Sequence, residues 1–102
     1  MKEIKSFEEW LETVKLKRKL LLFVKTDNCS VCVGLYPQVK ALETVYRLPF
    51  YIVNVAEVPE IAGQLSLFTA PVVLLFHEGK EYARFARFVS MEGLKRRLEE
   101  IQ

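Results

Sequence analysis

Three apolar runs constrain this chain more than any other feature: Leu20 to Val24, Phe50 to Val55 (broken only by Asn54), and Val72 to Phe76. A strand with one wet face alternates apolar and polar residues. A run without alternation is a strand covered on both faces, which requires helices above and below the sheet. Each run is far short of the ~20 apolar residues that a membrane-crossing helix needs. With 51% hydrophobic residues among 102, the chain can fill one core, so residues 1–102 read as a single domain.

The segments between the runs carry helical spacing. Ser6 followed by Glu9 is a capping box, and Phe7, Trp10, Leu11 and Val14 continue it as a helix to about Lys17. The basic run Lys15, Lys17, Arg18 and Lys19 then reads as solvated cations at a helix C-terminus. Lys25, Thr26, Asp27 and Asn28 end the first buried strand. A second helix starts at about Cys29, with Leu35, Val39, Leu42 and Tyr46 on one stripe and Pro37 expected to kink it. A short helix covers Pro59 to Leu65, with the proline in its first turn.

Thr69-Ala70-Pro71 precedes the strand Val72 to His77. Glu78-Gly79 is a tight hairpin turn into a polar edge strand, Lys80 to Phe88. Ser90 caps a last helix with Met91, Leu94, Leu98 and Ile101 on its apolar face, and Met1 to Ile4 reads as a further short edge strand. The fold class is therefore α/β, a central mixed four- or five-stranded sheet between two layers of helices.

A formal net charge of +2 is too small to argue for nucleic acid or a membrane surface, which need clustered cations. The N-terminal residues Met1-Lys2-Glu3-Ile4-Lys5 do not resemble a signal peptide, so the expected location is the cytoplasm.

The only cysteines are Cys29 and Cys32. A pair this close staples almost nothing, so in a reducing compartment it reads as redox-active or metal-binding. It falls where a buried strand ends and a helix begins, where unpaired N–H groups and the helix dipole favour negative charge. A free thiol has a pKa of about 8.5. A dipole effect of up to ~2 kcal/mol would bring Cys29 near neutrality. Thiolate is the attacking species in disulfide exchange. Position assigns Cys29 as the exposed nucleophile and Cys32, one turn inside, as the resolving thiol, with Ser30 and Val31 as the bridge. Two other readings stand beside this one. The pair is inert, or it is half of a metal site, which would need more ligands than the single His77 supplies and hence a second chain.

On these residues the sequence resembles the thioredoxin family over nearly its whole length. An apolar strand runs into Cys29-x-x-Cys32 and a helix, and Pro37 follows Cys32 by five residues. Thr69-Ala70-Pro71 precedes an apolar strand, and Gly79 lies in the turn before the last strand. The resemblance implies that Pro71 is cis and packs beside the cysteines, where it keeps metals from bridging them. It also implies that the Ala70 backbone pairs with an extended substrate segment, and that Asn28, Ser30 and Val31 border the substrate. It implies no cofactor or metal, disulfide-containing proteins as substrates, an external reductase as electron source, and a monomer. No Gly-Gly or Gly-Asp follows Pro71, which argues against a glutathione-binding relative.

The departures are chemical. Asn28 stands where the family has Trp before the first cysteine, and Ser30-Val31 replaces Gly-Pro between the two. Phe23 and Ile52 correspond to a buried Asp and its Lys partner. Replacing both together is coherent, because losing one alone would strand a charge. That Asp is thought to move a proton to or from the buried cysteine, so Cys32 is expected to deprotonate slowly, through water. Arg87 or Phe88 stands at a family glycine late in the last strand, which changes the expected partner surface. The reading is a dithiol reductant of protein or small-molecule disulfides. The rival is an interaction or redox-sensing module with little turnover.

Overall fold

In the computed structural model, which describes residues 1–102, β1 (Lys2–Ile4) leads into α1 (Phe7–Leu16), β2 (Lys19–Lys25) and α2 (Ser30–Lys40). Then follow β3 (Phe50–Asn54), α3 (Pro59–Gln64), β4 (Val72–His77), β5 (Lys80–Ala86) and α4 (Met91–Ile101). The strands form one five-stranded sheet in the order β1-β3-β2-β4-β5. β3 pairs parallel with both β1 and β2, while β2–β4 and β4–β5 are antiparallel.

The unbroken apolar runs are explained by where their side chains go. Leu20, Leu22 and Val24 pack with Trp10 of α1 and Ile61 of α3 on one face. Leu21 and Phe23 pack with Leu35 and Val39 of α2 and Leu94 and Leu98 of α4 on the other. Alternate residues of one strand thus feed two separate cores, and neither parity can be polar. Trp10 is a core residue, its indole N–H donating to Gln64 Oε1 at 2.9 Å and its ring edge-on to Phe76.

Helix starts follow the caps. Ser6 Oγ accepts from Glu9 N and Ser90 Oγ from Gly93 N, both at 3.0 Å. Glu78 and Gly79 both have positive φ, 54° and 78°, the pattern of a two-residue hairpin turn matched to strand twist. Two members of the basic run have partners: Arg18 Nε donates to Glu78 Oε1 at 2.9 Å, and Lys19 Nζ donates to the Ile101 carbonyl at 2.7 Å, closing the end of α4.

Three boundaries differ from expectation. The stripe Leu35, Val39, Leu42 and Tyr46 is buried, but α2 stops at Lys40 and Ala41–Thr44 tightens into a 3-10 turn. Shorter-range bonds of that kind satisfy carbonyls left open at a helix end. β3 ends at Asn54, not Val55, because Asn54 Oδ1 accepts from Ala56 N at 2.9 Å and folds the chain back. β5 ends at Ala86, not Phe88: the Arg87 N–H still bonds the Pro71 carbonyl opposite it, but Arg87 takes φ 66° and turns the chain out of the strand.

A left-handed backbone costs a side-chain-bearing residue roughly 1–2 kcal/mol. Arg87→Gly is therefore expected to stabilise the fold by about 1 kcal/mol, after allowing for the freer unfolded chain. Urea unfolding checks it: the midpoint should rise with an unchanged slope, and a lower midpoint would show that the arginine side chain contributes more than its backbone costs.

Candidate active site

The site lies where the central strand β2 runs out of its sheet and the chain turns into α2. Asn28 makes the turn with φ 53°, in a region where Asn is tolerated better than most residues. Cys29 is the N-cap of α2, and its Sγ accepts the Cys32 N–H at 3.2 Å. The sulfur thus occupies the position of a capping oxygen, facing the positive end of the helix.

Cys29 and Cys32 are joined as a disulfide with their Cα atoms 5.2 Å apart. Cys29 is partly exposed, while Cys32 is only 3% exposed and belongs to the buried face of α2. Ser30 and Val31, between them, are exposed.

The loop before β4 comes up against this disulfide. The Ala70–Pro71 peptide bond is cis and Pro71 is buried. Cys29 Sγ lies 3.9 Å from the Ala70 carbonyl oxygen. Asn28, Cys29, Ser30, Val31 and Cys32 are therefore gathered with Ala70 and Pro71 although more than a third of the chain separates the two segments. The sheet does this: β2 and β4 are antiparallel, and Val24 pairs with Val72, so the end of one strand meets the start of the other. His77 pairs with Lys19 at the opposite end of the same ladder, away from the cysteines.

Behind the pair opens a cavity of about 820 Å³ whose walls include Cys32, Phe23, Tyr36 and Ile52. Phe23 is fully buried and meets Tyr36 edge-on, ring centres 5.7 Å apart. Phe23 and Ile52 are direct neighbours across the β2–β3 ladder, so they form an apolar part of the wall they share with Cys32. The carboxylates that line the cavity, Glu3 and Asp27, belong to exposed residues.

Several site residues carried no signal that sequence reasoning used. Asn54 is buried, and its Nδ2 donates to Asp27 Oδ1 at 2.9 Å, tying β3 to the loop before Cys29. A single amide inside an apolar run was the available sign. Arg84 Nη2 donates to the Leu65 carbonyl at 2.6 Å and Nη1 to that of Ser66 at 3.1 Å, bracing the loop that leads to Ala70. Glu81 holds that guanidinium at 2.7 Å and, by hydrogen bonding first, keeps it above its usual pKa.

The thioredoxin family model matches residues 2–100. Among curated relatives, thioredoxin-like protein YdfQ of Bacillus subtilis is 34% identical over 89 residues, covering 86% of this chain and 80% of that protein. Thioredoxin AMT13 of Alternaria alternata is 33% identical over 82 residues, covering 78% and 70%. The Fasciola hepatica thioredoxin structure superposes with a TM-score of 0.89 over 100% of both chains at 20% identity, a likeness of fold. The Plasmodium falciparum thioredoxin gives 0.88 over 98% of both at 18% identity. Fold, paired cysteines and relatives together support a thiol–disulfide oxidoreductase in general terms. With nearly all of its length matched, and a disulfide at the head of α2 facing a cis-proline loop, this chain belongs to the thioredoxin family.

Proposed function

We propose that the protein reduces disulfides of proteins or small molecules, with Cys29 as nucleophile and Cys32 as resolving thiol. The observation that carries this reading is the asymmetry of the pair. One sulfur is partly open beside Ala70 and accepts a helix N–H; the other is buried behind it.

In the reduced protein the Cys29 thiolate attacks one sulfur of a substrate disulfide. The substrate S–S bond breaks, a new S–S bond joins Cys29 to the substrate, and the leaving sulfur departs as thiolate and takes a proton from water. Cys32 then loses its proton and attacks Cys29 Sγ. The mixed disulfide breaks, the second substrate thiolate leaves, and the Cys29–Cys32 bond closes. Two electrons have moved from the dithiol to the substrate, and an external reductase must return them. The Cys32 proton leaves through solvent in the cavity, because Phe23 and Ile52 offer it no acceptor; resolution is the slow step.

Insulin reduction by dithiothreitol tests the proposal. The wild type should accelerate precipitation of the insulin chains and Cys29→Ser should not; equal rates for the two proteins would refute a dithiol enzyme. The apolar pair Phe23 and Ile52 favours a second reading, a partner-binding module whose cysteines report oxidation. That reading expects reversible Cys29–Cys32 oxidation with no acceleration of insulin reduction.

A further inference from the structure

Two phenylalanines stand almost wholly in solvent, Phe68 at 94% exposure and Phe88 at 92%. Both lie in chain segments next to those that meet Cys29 or its neighbour Val31. Phe68 is two residues before Ala70, whose carbonyl oxygen lies 3.9 Å from Cys29 Sγ. Phe88 follows Arg87, whose N–H bonds the Pro71 carbonyl at 3.3 Å. Val31, 60% exposed between the cysteines, shares with Phe88 a groove of about 500 Å³ running between α2 and the segment before α4. Arg87 is the one charged residue lining that groove, and it takes part in none of the chain's ion pairs.

The backbone beside them is also open. Phe68, Thr69 and Ala70 make no backbone hydrogen bond, so their N–H and C=O groups are available to an added strand. Arg84 fixes the start of this loop through the Leu65 and Ser66 carbonyls, which lowers the ordering cost of docking onto it.

We infer that Phe68, Phe88 and Arg87 narrow the extended polypeptide substrate that the family resemblance implies to one whose cysteine is flanked by apolar side chains, with a carboxylate placed to meet the unpaired guanidinium. The inference rests on the oxidoreductase reading for its chemistry, and on the exposed rings, open backbone and lone cation for its specificity. An apolar sequence supplies the area that Phe68 and Phe88 leave uncovered, and only a peptide also satisfies the free backbone groups.

The test separates docking from chemistry. Two fluorescent peptides carry serine in place of cysteine, one with apolar and glutamate flanks, the other with serine and lysine flanks. The oxidised protein should bind the first about tenfold more tightly, and Phe68→Ser and Phe88→Ser should each remove most of that difference. Arg87→Gln should lose the preference for glutamate but keep the preference for apolar flanks. Leu16→Ser, an exposed apolar position on the C-terminal turn of α1, serves as the control and should change nothing.

The disulfide forms of the same peptides are then compared with hydroxyethyl disulfide as substrates, and the phenylalanine variants should lose more rate on the apolar peptide than on the small molecule. Equal binding of both peptides overturns the inference, as does a wild-type dimer that dissociates in the phenylalanine variants, which would assign the patch to a second copy of the chain. Discrimination between the peptides without reduction of any disulfide would leave the docking surface standing and remove the oxidoreductase reading.

Discussion

Cys32→Ser is expected to lower steady-state disulfide reduction by roughly three orders of magnitude while converting the protein into a trap that holds its substrate through Cys29. The asymmetry of the pair dictates this outcome. Cys29 keeps its place at the N-cap of α2, where the N–H of residue 32 still reaches its sulfur. It can still attack, and the mixed disulfide then has no resolving thiol behind it. Serine is smaller than cysteine and fits the 3% exposed site, so the fold should persist. The measurement is intact mass after mixing with a disulfide-bonded peptide, then after added dithiothreitol. Cys32→Ser should gain the mass of one peptide chain and lose it on reduction; Cys29→Ser should gain little. The reverse pattern would exchange the two roles and require that Cys32, not Cys29, reaches the surface.

The parts of this molecule that could be read from its sequence are those where a physical demand acts on consecutive residues. Leu20 to Val24 has no polar member because its odd and even side chains enter different cores. Ser6 and Ser90 announce α1 and α4 because a cap and its recipient N–H are three residues apart in the chain. The cysteine pair was legible from its place at the junction of strand and helix, whereas the cis Pro71 beside it was legible only through the family resemblance.

What escaped the sequence depends on distant chain. Asn54 ends β3 and holds Asp27 only because the β2–β3 ladder sets Lys25 beside Asn54. Arg87 adopts a left-handed backbone where the chain makes its last bond to the partner strand, at Pro71, sixteen residues earlier, and turns away. Phe68 looks like an ordinary core residue by composition, and Phe88 stood out only through the family glycine it or Arg87 replaces. Their exposure follows from where they fall, just outside the two ends of the β4–β5 hairpin and not beneath a helix. No local pattern distinguishes an aromatic residue that fills a core from one that waits for a partner.

The apolar wall of the cavity yields the second large effect. Phe23→Asp alone is expected to destabilise the fold by about 3–5 kcal/mol at neutral pH, from the lost ring and from a carboxyl with no partner in an apolar wall. Phe23 is fully buried, packs edge-on against Tyr36, and sits between Ile52 on β3 and Val73 on β4. Burial raises the folded-state pKa of the new carboxyl above its unfolded value of about 3.9. The folded state then holds the proton more tightly, so stability is retained below that value and lost as pH rises through the folded pKa. The penalty should be smaller at pH ~4 than at pH ~7.

Adding Ile52→Lys, its direct cross-strand neighbour, supplies the missing charge and should recover part of the loss, a coupling that a double-mutant cycle reads from four urea midpoints. The double variant also places an acceptor in the wall shared with Cys32. If proton loss from Cys32 limits resolution, that variant should release a substrate thiol from a preformed Cys29 mixed disulfide about tenfold faster than the wild type at neutral pH. An unchanged release rate in a folded double variant would mean that solvent in the cavity already takes the proton as fast as the sulfurs exchange, and that the apolar wall serves packing alone.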